Sequence, residues 1–330
     1  MLFGAAAVAS LPLVIIGYVS YSTKGLPARF SRQALDLLAA KKDYWQRRPE
    51  CTGRICRIGS DRATPSFLLW GDSHAGAIAP AMEHLAITNK TAGFVAFNPS
   101  CAPVLGLVHY NDDYPRFCTF FTASVLSFIK AQHITTVFLH ARWAVSTEGL
   151  HFKHAIGERI LLAASRDPAD NYEVLVQSLR STVAELQAIG VHVAIIASVP
   201  EVELDVPTML ARSVMKKKGI DFAPRYSEFM ERQSRTFGIL SRIAGDYGVQ
   251  VIYPHTTLCD QASCLLLVDN RPLYIDDNHL SVHEDTRKKN PSHLSFLTVG
   301  KKTAQRQPKR LSLASRWITR PPLLITGTVK

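Results

Sequence analysis

The sequence predicts an α/β protein, three α/β/α layers around a doubly wound parallel sheet, preceded by one transmembrane helix. Three observations predict it. Short apolar runs of buried-strand type alternate along the chain with longer stretches of helical period, the pattern of a parallel sheet whose crossovers are helices. The run Ser66-Phe67-Leu68-Leu69-Trp70 ends in Gly71-Asp72-Ser73-His74 and passes at once into the small residues Ala75 to Ala79, an order that reads strand, tight turn, helix. Residues 2–21 form a nearly continuous apolar run without a charge, about the length that crosses a hydrocarbon core.

In chain order, residues 1–22 are the predicted span, which lacks the basic leader of a secretory signal. Residues 23–64 read as a linker, with an amphipathic helix over Ser31–Arg48 and a lead-in over Pro49–Thr64. Residues 65–283 carry the main domain. Its strands are expected at Phe67–Trp70, Gly93–Phe97, Thr136–His140, Val191–Ser198 and Val249–Tyr253, and its helices at Gly76–Ala86, Thr119–Ala131, Tyr172–Ile189 and Arg225–Gly245. Trp143–Asp170 and Glu201–Pro224 are longer than ordinary connections and are candidate walls of a substrate groove. Residues 284–330 are basic and rich in Ser, Thr and Pro, without helical period, a composition that cannot bury a core face and predicts disorder.

The net charge of +11 does not describe the domain. Eleven basic and two acidic residues fall in 284–330, so this tail holds +9 of it. A nucleic-acid interface needs its basic patch on the folded domain, with aromatic platforms, and none is evident, so nucleic acid is not an expected partner. Lys216-Lys217-Lys218-Gly219 reads as a solvated charge run. No glycine-rich phosphate loop is present, and the scattered histidines, of which His151 and His154 come nearest, lack the spacing of a metal site. Neither a metal nor another cofactor is expected.

The chemistry concentrates at two places. Ser73 stands at a predicted helix N-terminus, where backbone N–H groups stabilise developing negative charge. Far downstream, Tyr274-Ile275-Asp276-Asp277-Asn278-His279-Leu280-Ser281 puts a carboxylate three residues before a histidine, within reach of one imidazole nitrogen. Together they supply a serine, a base to take its proton and an acid to orient that base, the parts of acyl-ester chemistry.

These residues resemble the SGNH (GDSL-like) hydrolase superfamily. More narrowly, they resemble the SGNH domain at the C-terminus of membrane acyltransferase-3 proteins, which O-acetylate bacterial surface glycans such as lipopolysaccharide O-antigen. The narrower resemblance rests on His74 after the serine, Cys101-Ala102-Pro103, Ala141-Arg142-Trp143 and the Asp-Asp-Asn-His-Leu-Ser ending. It implies Ser73 as nucleophile with Asp276 and His279 completing a triad. It also implies a membrane acyltransferase-3 domain as acyl donor and a surface polysaccharide as acceptor. The superfamily's Gly-x-Asn-Asp block, whose asparagine donates to the oxyanion, is absent here. Arg142 stands in that region, either as an oxyanion or substrate group, in company with His74, or as an ion-pair partner; the two readings stay open. The tail also departs from the family, which continues after His-Leu-Ser into a final helix.

The side of the membrane is given by two conflicting signals. Lys24, Arg29 and Arg32 follow the span, which by the positive-inside rule points the domain into the cytoplasm. The six cysteines fall into three near-neighbour pairs, Cys51 with Cys56, Cys101 with Cys118 and Cys259 with Cys264, which fit disulfides in an oxidising compartment. Cysteines and resemblance together favour an inner-membrane protein with its catalytic domain in the periplasm. The expected function is O-acyl transfer through a serine acyl-enzyme to a sugar hydroxyl. The alternatives are a glycan or lipid esterase, and an inactive domain that only holds a glycan or partner.

Overall fold

The computed structural model of the chain describes residues 2–23, 25, 27–107, 115–152, 162 and 171–282. The N-terminal helix α1 (Leu2–Ser22) covers the predicted span, and from Leu11 onward its side chains are described and mostly exposed. Among the described residues no helix is long and apolar enough to cross a membrane; the side chains of residues 1–10 lie outside them. The expected amphipathic helix is shorter than Ser31–Arg48. It runs as α2 (Arg32–Ala39), capped by the Ser31 hydroxyl, tightens into a 3₁₀ turn at Ala40–Lys42, breaks, and resumes as the short α3 (Arg48–Cys51). The lead-in segment is not a linker in structure, because it supplies the edge strand β1 (Arg54–Gly59).

The alternating units then follow as β2 (Pro65–Gly71), α4 (Ser73–Thr88), β3 (Ala92–Phe97), α5 (Pro115–Ala131), β4 (Thr136–His140), α6 (Trp143–Glu148), α7 (Asn171–Ala188), β5 (His192–Ile196), α8 (Val206–Lys216), α9 (Tyr226–Tyr247) and β6 (Gln250–Ile252). A short α10 (His255–Leu258) and the hairpin β7 (Leu267–Val268) and β8 (Arg271–Pro272) lead to the Asp276–His279 turn. All five predicted strands form. Two differences concern the expected groove walls. Trp143–Asp170 opens with α6, whose Trp143 is fully buried and donates its indole N–H to the Ile196 carbonyl, and Glu201–Pro224 contains α8. Residues 153–161 and 163–170, with His154, and the tail 284–330 lie outside the described residues.

The sheet order is β1-β3-β2-β4-β5-β6, with β1 antiparallel and the other strands parallel. Both faces are buried, as the continuous apolar strands require. Phe67, Leu69 and Phe138 point into one core with α2, α4 and α8; Leu68, Trp70 and Leu139 point into the other with α5, α7 and α9. From β2 the chain crosses to β3 on one side and then back over to β4 on the other. The strand order therefore reverses at β2, and in open α/β sheets the crevice beyond the strand ends at such a reversal is where ligands bind. Ser73 starts the helix that leaves this point.

Three disulfides close the expected pairs, Cys51–Cys56, Cys101–Cys118 and Cys259–Cys264. The first joins α3 to β1 and holds the edge strand against β3.

Candidate active site

The turn between β2 and α4 is forced by close approach. A side chain at Gly71 would overlap the His140 carbonyl on the neighbouring β4, so only glycine lets the two strand ends meet here. Asp72 caps α4, its Oδ1 accepting from the His74 N–H at 2.8 Å, while its Oδ2 accepts from the Arg142 N–H at 2.9 Å. One buried carboxylate thus ties the β2–α4 turn to the β4–α6 turn; burial pushes its pKa up, against the lowering effect of those two N–H groups. Ser73, the first residue of α4, has a backbone N–H with no intrahelical acceptor.

The structure brings Ser73, Asp276 and His279 together across 206 positions of sequence. His279 Nε2 lies 2.8 Å from Ser73 Oγ, and His279 Nδ1 lies 2.7 Å from Asp276 Oδ2. A carboxylate only accepts, so Nδ1 carries the imidazole proton and Nε2 is the free acceptor for the Ser73 hydroxyl. Asp276 Oδ1 accepts the backbone N–H groups of Asn278 and His279 at 2.8 and 2.7 Å. Burial works to raise the Asp276 pKa, but the bond to His279 and these amides outweigh it and hold the carboxyl below its ordinary value. The turn is anchored from outside as well: the N–H groups of Val202 and Val206 donate to the carbonyls of Asp277 and Asp276.

His74, the second half of the Ser-His dipeptide, is buried and stacks beside the base, its ring 4.7 Å from that of His279 and tilted by 37°. Its Nε2 donates to Asn278 Oδ1 at 3.1 Å, and Asn278 in turn donates from Nδ2 to Asp277 Oδ1 at 2.7 Å. Burial, with the charges of His279 and Arg142 beside it, lowers the His74 pKa well below the ordinary histidine value. A neutral ring therefore faces His279, so the imidazolium formed when the base takes a proton meets no like charge there.

Arg142 lies next to this pair with its charge already engaged. Its Nε donates to Glu201 Oε1 at 2.6 Å and its Nη1 to His151 Nδ1 at 3.0 Å, leaving Nη2 buried without a partner. Glu201, its side chain 1% exposed, also accepts from Arg232 Nε at 3.1 Å. The ion-pair reading of Arg142 thus describes most of its guanidinium. Glu201, Arg232 and Asn278 are site neighbours that the sequence does not single out. Asn278 sits inside a motif read for its flanking Asp and His, and Glu201 and Arg232 carry no local signal because they meet only in the folded chain.

The model for the SGNH domain fused to AT3 domains matches residues 40–283 of this chain. The chain belongs to that family. The SGNH domain is similar in structure to the periplasmic domain of a lipopolysaccharide acetyltransferase from Salmonella ser. Paratyphi A, with a TM-score of 0.52 and 19% identity over 72% of this chain and 83% of that one. A GDSL-like lipase from Bacteroides thetaiotaomicron matches with a TM-score of 0.36 and 10% identity over 71% of this chain and 84% of that one. A putative acylhydrolase from Bacteroides fragilis matches with a TM-score of 0.37 and 9% identity over 72% and 86%. Among curated proteins no sequence matches. Membership places residues 40–283 among SGNH domains that are fused to AT3 domains, and the Salmonella structure agrees with it at the level of the fold.

Two buried histidines make this SGNH domain acid-sensitive. His140, at the end of β4, is fully buried and donates its Nδ1 proton to the Ile196 carbonyl; burial lowers its pKa from 6.5 to about 4. His74 is lowered in the same direction. An unfolded chain takes up these protons below its ordinary value while the folded one does not, so stability is complete above pH 6.5 and falls as pH drops toward about 4. Each histidine contributes a slope of about 1 kcal/mol per pH unit. Denaturant titrations at stepped pH check this, and a midpoint that stays flat from neutrality to pH 4 contradicts it.

Proposed function

We propose that this chain is an O-acyltransferase that passes an acetyl group through an ester on Ser73 to a sugar hydroxyl of a bacterial surface glycan. The single observation that carries the reading is the hydrogen-bond chain Ser73–His279–Asp276 at the β2 reversal point, in a chain of a family fused to AT3 domains. Ser73 Oγ attacks the acyl carbonyl, its proton passes to His279 Nε2, and the oxyanion forms against the Ser73 N–H at the head of α4. His279 returns that proton to the departing alcohol. A sugar hydroxyl then gives its proton to His279 and attacks the acyl-enzyme, and Ser73 recovers its proton as the sugar ester leaves. Asp276 holds the tautomer that makes Nε2 the base throughout.

Water can make the same second attack, so the triad alone serves an esterase equally well. The AT3 fusion of the family favours transfer, with a membrane AT3 domain as the proposed source of the acyl donor. We further propose that α1 anchors the chain in the inner membrane, that residues 65–283 with β1 form the catalytic domain, and that this domain faces the periplasm. The three disulfides support that compartment. The acceptor class is suggested by the Salmonella neighbour, a lipopolysaccharide acetyltransferase.

The test supplies the chain with an AT3 membrane domain and a surface polysaccharide and weighs the glycan by mass spectrometry. Acetylated glycan that disappears with Ser73→Ala is expected; fast hydrolysis of a small acetyl ester without acetylated glycan in any intact system favours the esterase. The roles of the adjacent acids separate in the same assay. Asp276→Asn lowers turnover on the order of a hundredfold or more through the wrong imidazole tautomer, whereas Asp277→Asn, which keeps an oxygen to accept from Asn278, has a minor effect. The reverse order would shift the orienting acid by one residue.

A further inference from the structure

The run Lys216-Lys217-Lys218 is unused by the chemistry above, and its surroundings give it a role. It ends α8, and all three lysines are exposed with no ion-pair partner among the described residues. Lys217 takes the left-handed conformation at the helix cap, with φ at 52°, a position where glycine is favoured and where a β-carbon is unfavourable. A bulky cation therefore stands where local backbone physics would choose otherwise. The apolar residues on either side of the run, Met215 and Ile220, are themselves exposed, at 42% and 47%. Lysines with exposed aliphatic neighbours at one corner combine the attractions of an anionic bilayer surface, charge for the headgroups and apolar area for the acyl boundary.

The fold puts this corner beside the end of α2 at which the chain comes in from α1. Lys41, just past the end of α2, reaches Asp205 at 3.1 Å and donates to Thr208 Oγ1 at 3.2 Å, both at the start of α8. Ala34 and Leu37 of α2 share one core with Leu210 and Ala211 of α8. The two helices thus pack antiparallel, and the C-terminal end of α8 lies beside the N-terminal end of α2, where Arg32 is exposed and the chain arrives from α1. Of the acidic residues nearest the run in sequence, Asp221 lies three residues past it and Asp205, at the other end of α8, is paired with Lys41; Asp36 on α2 is paired with Arg32, so cations predominate at this corner.

We propose that the α8 corner, Lys216 to Lys218 with Met215 and Ile220, docks on the anionic lipid surface of the membrane that holds α1, and so fixes how the catalytic domain sits over the bilayer. This rests on the reading of α1 as a membrane anchor and is independent of the Ser73 chemistry.

The test uses the full chain in lipid nanodiscs, of phosphatidylcholine alone or with phosphatidylglycerol, with an environment-sensitive dye on Ile220→Cys; all six native cysteines are in disulfides. Quenching of the dye by lipid-borne spin labels is expected to be at least about twofold greater in the anionic discs. The excess is expected to vanish with Lys216→Glu, Lys217→Glu and Lys218→Glu combined. That variant touches none of the site residues, so its unchanged turnover of an activated acetyl ester shows that it is folded. Equal quenching in both lipids, quenching that survives charge reversal, or protection of the dye by a soluble acidic polysaccharide in place of lipid overturns the proposal. A chain that shows the lipid-dependent quenching yet turns over no ester leaves the docking surface standing and removes the acyl-transfer reading instead.

Discussion

Ser73→Ala and His279→Ala will each lower turnover of an activated acetyl ester by about three or more orders of magnitude, and the double variant will fall little further than either alone. The non-additivity follows from geometry. Ser73 Oγ and His279 Nε2 share one hydrogen bond of 2.8 Å, so either substitution removes the same proton transfer. Both residues are partly buried, the His279 side chain 18% exposed, so each variant is also checked for its fold. Steady-state kinetics on variants with the native circular dichroism spectrum checks the result. A folded Ser73→Ala protein of near-native rate would end the nucleophile assignment.

Glu201→Leu will cost about 3–5 kcal/mol of folding stability. Its carboxylate is the shared counter-charge of Arg142 and Arg232, whose side chains are 14% and 11% exposed. Removing it leaves two nearly buried guanidinium groups facing one another. The triple variant with Arg142→Leu and Arg232→Leu should recover much of the loss, since replacing a whole buried ion network by apolar side chains is far milder than breaking it. The loss also reaches the site, for Val202 and Val206, just past Glu201, hold the carbonyls of Asp277 and Asp276. Denaturant midpoints with unchanged slopes read the stability. A Glu201→Leu protein as stable as the native chain would show that the two arginines find other partners.

What the sequence shows and hides follows from which forces are local. Strands β2 to β5 are legible because they are largely buried on both faces and read as short, mostly apolar runs, and β6, half-buried at the sheet edge, is legible from the apolar residues around Gln250. The edge strand β1 is not, for Arg54-Ile55-Cys56-Arg57-Ile58-Gly59 alternates exposed or half-buried polar residues with apolar ones, and its place is set by pairing with β3 and by the Cys51–Cys56 bridge. Helix α8 had a legible start in Asp205-Val206-Pro207, a capping acid followed by proline in the first turn, but a long connection masks it when length alone is weighed. Ser73, Asp276 and His279 stand out because each sits in a short motif whose spacing is itself the chemistry. The Arg142–Glu201–Arg232 network has no such motif; its members come from three separate elements and meet only after the sheet has formed.

The central claim, an acyl group carried on Ser73, is tested most directly by mass spectrometry of the chain quenched in acid during turnover of an activated acetyl ester. One acetyl group on the peptide bearing Ser73, absent from Ser73→Ala and from His279→Ala, is the predicted result. Turnover at the native rate with no acetyl on that peptide, or with the label on another residue, would contradict it.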